Sequence, residues 1–422
     1  MKNLTRHATQ AVLWQLGFMR AVVVTGARQV GKSTLARQVL DHVGGTYLTL
    51  DEPATLAAAL SDPDGLIAGA DGLTVIDEVQ RAPDLLRAVK LSVDRDPRPG
   101  RFLLTGSANL LRMRTVSESL AGRAGYLELL PLSWSEITEA PRPSTIDQAF
   151  SAGSAGEFLQ ALPAAPPGAA AATRELALAG GMPATLELDP PRRRAWYDGY
   201  RVTFLERDLR QLSEIASVPE FGRLMSLALL RSGGLLNKSD LASDAGLSYS
   251  TTDRYLNLLQ VAYQIRLLQP FFLNVGKRLV KSPRVFAVDS GAVAWAANLS
   301  DWRSAVSSAK EGALLETFAI SDIMAWDGLS GSSRYHFWRT SAGAEVDLVI
   351  ERGEQIVGVE IKSAASVQSR NLRGLRGLRE DLGPRFKLGI LAHLGDETVA
   401  LDPSLVAVPL ASLLGVGAPA TR

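Results

Sequence analysis

The strand-like run AVVVT at 21–25 opens into GARQVGKS at 26–33 and then into the amphipathic stretch TLARQVL at 34–40. That order constrains the fold more than any other feature of the chain. A helix N-terminus already carries partial positive charge, and Lys32 sets a full positive charge beside it. Two like charges sit together comfortably only where an anion lies between them. The glycines leave the loop free to turn its amide hydrogens inward, so Gly26, Ala27, Arg28, Gln29, Val30, Gly31 and Thr34 are expected to wrap a phosphate. Lys32 would reach the β and γ oxygens of a nucleoside triphosphate, and the Ser33 hydroxyl would face Mg²⁺.

From about residue 20 to 135, strand and helix signals alternate as in a parallel sheet wrapped by helices, with strands read at AVVVTG, TYLTLD, GLTVIDE and RFLLTGS. LTVIDEVQ, residues 73–80, is a buried strand ending in two acids. Asp77 is positioned to hold Mg²⁺ through water, and Glu78 to orient or activate the attacking water. RFLLTGSANL, residues 101–110, ends in Thr105, Ser107 and Asn109, polar groups at the height of a γ-phosphate. Which of the three touches it is left open by the sequence.

The 422 residues contain no cysteine and four histidines. Disulfides, thiolate zinc and thiol catalysis are therefore excluded, carboxylates remain as metal ligands, and the expected compartment is the cytoplasm. No leader pattern is read, and the apolar stretch SLVAVPLASLLGVGA is broken by Pro409, so it reads as a last strand and helix and not as a membrane span. With a net charge of +1, any contact with nucleic acid must come from local patches.

Beyond the first α/β unit (1–139), residues 140–172 are rich in Pro, Ala, Gly and Ser and read as a mobile insertion, and 173–232 as a helical, lid-like segment. Residues 233–295 read as a winged helix: two short helices separated by Gly246, with Leu241, Leu247, Tyr255, Leu256 and Leu259 inward, then two strands around a basic turn. Either Lys277, Arg278, Lys281 and Arg284 reach phosphates from that turn, or the module is a packing adaptor inside a larger ATPase. In 296–422 the pattern is again α/β. There Asp347 lies in one strand, Glu360 and Lys362 share a face of the next, and Glu316 lies on a preceding helix. Acids that hold Mg²⁺ or Mn²⁺ beside an ammonium suit phosphodiester hydrolysis. The helix after them carries Arg370, Arg373, Arg376 and Arg379, either along a phosphate backbone or as a solvated face above Leu372, Leu375 and Leu378.

The first unit resembles the AAA+ group of ATPases, with GARQVGKS, VIDE and LLTGS standing for its phosphate loop, acidic motif and sensor strand. The resemblance implies ATP and Mg²⁺ as cofactors, and an arginine that completes a neighbour's site. Arg123, in the Gly-Arg pair of SESLAGRAGYLELL, fits that role, with Arg112 and Arg114 as rivals. A finger shared between subunits implies a homo-oligomer, a dimer or a ring. The late cluster is similar to the PD-(D/E)xK nuclease pattern, with Val346 where a proline often stands. That likeness implies a restriction-endonuclease-like fold with metal on Glu316, Asp347 and Glu360 and catalysis by Asp347, Glu360 and Lys362. In its order of parts the chain resembles a prokaryotic family of AAA-type ATPases ending in a nuclease-like domain of unknown function. The expectation is an ATP hydrolase acting on nucleic acid, DNA first. The alternative is a nucleotide-dependent switch or scaffold whose terminal domain performs no chemistry.

Overall fold

The computed structural model describes residues 4–69, 72–106, 120–208 and 217–416. They fall into two compact units, 1–132 with 261–264, and 133–260 with 265–422.

The first unit is built on five parallel strands: β1 (Ala21–Thr25), β2 (Thr46–Thr49), β3 (Thr74–Asp77), β4 (Phe102–Thr105) and β5 (Ala124–Glu128), in the order β2-β3-β4-β1-β5. All five residues of β1 are buried. Covered on both faces by helices, such strands read as continuous apolar runs, which is why β1, β3 and β4 are visible in the sequence. In β5 the run AGYLE is interrupted by Gly125 and ends in Glu128, and no strand is read there. β4 lies between β1 and β3, so the phosphate loop and the acidic strand end face each other across the end of β4. Ligands of parallel sheets collect at such carboxyl ends.

The second unit holds a six-stranded mixed sheet of β8 (Arg334–Arg339), β9 (Glu345–Arg352), β10 (Gln355–Lys362), β11 (Phe386–His393), β12 (Val399–Asp402) and β13 (Leu405–Pro409), ordered β12-β13-β11-β10-β9-β8. The helix Arg373–Leu382 lays Leu375, Leu378 and Leu382 on this sheet, with Arg373 and Arg376 exposed and Arg379 bonded to Asp402 at 2.8 Å. A two-stranded antiparallel ribbon, β6 (Ile265–Leu268) with β7 (Arg284–Ala287), follows the helices Lys238–Ala245 and Tyr249–Val261. Gly246 ends the first of those helices in the left-handed conformation, at φ 66°.

Two expectations change here. The Pro/Ala-rich segment contains the helices Thr145–Ser151 and Ala155–Ala161, with Ile146, Ala149, Phe150 and Phe158 buried. Alanine is the best helix former, and Ile146 and Phe150, four residues apart, share one face. Of the basic-turn residues, Lys277 and Lys281 are exposed, but Arg278 is buried against Glu351 at 2.7 Å and Arg284 is buried too. Those two arginines face acids inside the unit and are not available to a phosphate backbone.

Candidate functional site

β1 runs straight into the loop. Gly26 adopts φ 147°, and a Cβ there would meet the Leu129 carbonyl oxygen at 2.3 Å, so only glycine fits. Gly31 is left-handed at φ 100° and caps the helix Lys32–Val43. Gln29 also holds a positive φ of 60°, a conformation that costs a non-glycine residue about 1 kcal/mol or more and collects at ligand sites. Ala27 and Val30 point into the core and anchor the loop, while Gln29 and Thr34 are exposed. Arg6, which the sequence did not mark, braces the loop from below. Its buried guanidinium donates to the carbonyls of Val30 and Leu130, both at 2.7 Å.

Lys32 is buried, and its ammonium donates to the carbonyls of Gly26 at 3.1 Å and Ala27 at 2.8 Å. Ser33 Oγ donates to Asp77 at 2.9 and 3.1 Å. Asp77 accepts two further hydroxyls, Thr105 Oγ1 and, at 2.7 Å, the phenol of Tyr47. Burial, and then Asp77, raise the Tyr47 phenol well above its ordinary value, so it remains a donor. Arg37 lies 4.9 Å from the centre of the Tyr47 ring. Tyr47 was legible only as a strand residue, since nothing in TYLTLD announces a partner 30 residues away.

Glu78 follows in the left-handed conformation, φ 59° and ψ 42°, with its amide bonded to Thr105 Oγ1 at 3.3 Å and its carboxylate taking a hydrogen bond from Gln80. Burial pushes its pKa up, and Lys32 only partly opposes that. A carboxylate raised toward neutrality suits a general base. Hydroxyl and carboxylate donors within reach of the loop fit Mg²⁺, which favours oxygen ligands and retains water. Arg123 lies on the same unit and forms a two-point ion pair with Asp94, at 2.5 and 3.0 Å. Ser107, Asn109, Arg112 and Arg114 lie outside the described residues.

The late cluster also assembles, with an addition. Asp347 on β9 is buried and accepts the Ile361 amide at 2.9 Å, and Lys362 pairs with Glu360 at 2.5 Å. Arg284, from β7, donates to Asp347 at 3.1 Å and also to Glu316. It is held there by the Gly233 carbonyl and by the faces of Phe286 and Phe337. Glu316 and Glu360 are both raised above the carboxylate range, first by burial and then by Asp347. Among the described residues, no group of three or more acids or histidines is arranged to hold a metal ion. Of the three acids on which Mg²⁺ was expected, Glu316, Asp347 and Glu360, a guanidinium bridges the first two.

The family model for an AAA domain matches residues 19–138, and models for two domains of unknown function, DUF8612 and DUF4143, match 170–303 and 311–413. The chain is 32% identical over 397 residues to "Uncharacterized protein Rv2008c" of Mycobacterium tuberculosis and to "Uncharacterized protein Mb2031c" of Mycobacterium bovis, covering 94% of this chain and 81% of each relative. Among solved structures it is similar to a Walker-type ATPase, PABY2304 of Pyrococcus abyssi, at 14% identity and TM-score 0.40 over 68% of this chain and 94% of that one. It is also similar to AMPPCP-bound DnaA from Aquifex aeolicus, at 14% identity and TM-score 0.25 over 60% of this chain and 85% of that one. No helix among the described residues is long and apolar enough to cross a membrane.

Proposed function

The chain belongs to the family of the mycobacterial proteins Rv2008c and Mb2031c and carries an AAA-type ATPase domain, and from that premise we propose that it is a Mg²⁺-dependent ATP hydrolase whose turnover is coupled to contact with nucleic acid, DNA first. The observation that carries the reading is the convergence of Lys32, Ser33, Asp77 and Glu78 at the carboxyl ends of β1 and β3. In it, the loop amides take phosphate oxygens, and the Lys32 ammonium exchanges the Gly26 and Ala27 carbonyls for them. Ser33 and Asp77 would hold Mg²⁺, which would supply charge neutralisation to the triphosphate. Tyr47 and Thr105 keep the Asp77 carboxylate turned toward Ser33. Glu78 accepts the proton of the attacking water or fixes its direction, and Arg123 of one subunit serves a neighbour in a dimer or ring once it leaves Asp94. Phosphate release measured with and without single-stranded, duplex and branched DNA and with RNA tests both halves. Turnover stimulated by one of them supports the reading, and turnover absent from well-folded protein removes it.

A second reading is favoured by one observation. Arg284 neutralises the acids that phosphodiester cleavage would need, which supports a terminal domain that binds partners without cutting. Mg²⁺-dependent cleavage that disappears in Asp347→Ala would overturn it.

A further inference from the structure

The terminal cluster sets three carboxyls, Glu316, Asp347 and Glu360, against two cations, Arg284 and Lys362. The two cations do not serve every oxygen of the three acids, and the one left over has a location. Glu360 is 4% exposed, and among the described residues its Oε2 has no hydrogen-bond partner. Its other oxygen is taken by Lys362, and its close charged neighbours are Asp347, Lys362 and Glu316. Buried carboxyl oxygens are seldom left bare, so this one marks a place where a partner is lacking. Arg284 is also not a native member of this sheet. It comes from the ribbon strand β7, 63 residues before Asp347, and reaches the acids between two aromatic faces.

We propose that Arg284 holds the place of a divalent cation in this cluster, which is a latent Mg²⁺ or Mn²⁺ site closed by an internal guanidinium. This deepens the second reading of the terminal domain and is independent of ATP hydrolysis at the first unit. A guanidinium forks onto two carboxylates much as a metal bridges them, but its planar donors satisfy only the oxygens that they point at. It thus serves Glu316 and Asp347 and leaves Glu360 Oε2 bare, whereas an ion within reach of all three acids would draw on that oxygen as well. The same substitution ties β7 to β9 and to the helix Glu311–Asp327 without any metal.

The test is Mn²⁺ binding by electron paramagnetic resonance, with melting temperature alongside, on nucleotide-free full-length protein. The expected result is that the wild-type chain binds no Mn²⁺ that Asp347→Asn abolishes, and its melting temperature does not respond to the ion. Arg284→Met should gain one bound Mn²⁺ per chain and a melting temperature that rises with Mn²⁺, both lost when Asp347→Asn is added. If Arg284→Met is unfolded alone, recovery of the fold in excess Mn²⁺ supports the proposal, and failure to recover overturns it. A folded Arg284→Met that binds no Mn²⁺ overturns it too, as does Asp347-dependent binding in the wild type. DNA cleavage by the wild type, assayed separately with Asp347→Ala as control, would instead contradict the second reading.

Discussion

Asp77, at the end of β3, and Asp347, third in β9, are both buried aspartates that the sequence marks as reactive, yet their partners differ in kind. Asp77 receives three neutral hydroxyls, from Ser33, Tyr47 and Thr105. Asp347 receives a backbone amide and an arginine. Neutral donors orient a carboxylate without cancelling its charge, so it still attracts a cation. A guanidinium at 3.1 Å cancels that charge, and the attraction is spent within the protein. An acidic cluster is therefore not a metal site by virtue of its acids alone. The donors around the acids decide.

The widest separation is expected from removing the cation at each cluster. Arg284→Ala strands two buried acids and should cost about 3–5 kcal/mol of stability by chemical denaturation, with little direct effect on ATP turnover. Lys32→Ala should do the opposite, leaving the melting curve near the wild type while phosphate release falls by roughly 10²-fold or more. If both variants lost stability equally, the contrast would fail.

Glu78→Gln should lower turnover by about 10²-fold while nucleotide remains bound, as read by a fluorescent ATP analogue. The sign of the pH effect follows from burial. A base raised above the ordinary carboxylate range loses activity as pH falls through that raised value, so the acid limb of the rate profile should lie above that of a solvated glutamate, and Glu78→Gln should lack it. Tyr47→Phe removes one neutral donor from Asp77. The loss of about 1 kcal/mol should appear as an increase of several-fold in the Mg²⁺ concentration that gives half-maximal turnover, with near-normal rate at saturating Mg²⁺. An unchanged Mg²⁺ dependence would remove Tyr47 from the site.

What the sequence made legible was what is local. Gly26 to Ser33, and Asp77 with Glu78, sit within single strand-loop units whose chemistry is written in consecutive residues. The terminal pattern was also readable, because the register Val359 with Leu348 brings Asp347 beside Glu360 much as alternation suggests. The missing pieces were the long-range ones. Arg6, Tyr47 and Arg284 each find their partner through the tertiary fold, at separations of 24, 30 and 63 residues. Arg284 in particular lies in the basic run KRLVKSPR, where composition reads as surface charge. Only the packing of β7 shows that it points inward, and that single side chain changes what the terminal acids can do.

The contrast between the two clusters reduces to where a divalent ion binds. Mn²⁺ stoichiometry on the wild-type chain, counted with and without a non-hydrolysable ATP analogue, measures it directly. One ion per chain in the presence of the analogue, lost in Lys32→Ala, and none without nucleotide is the expected result. An ion bound without nucleotide and lost in Asp347→Asn, or none bound with it, would contradict the account.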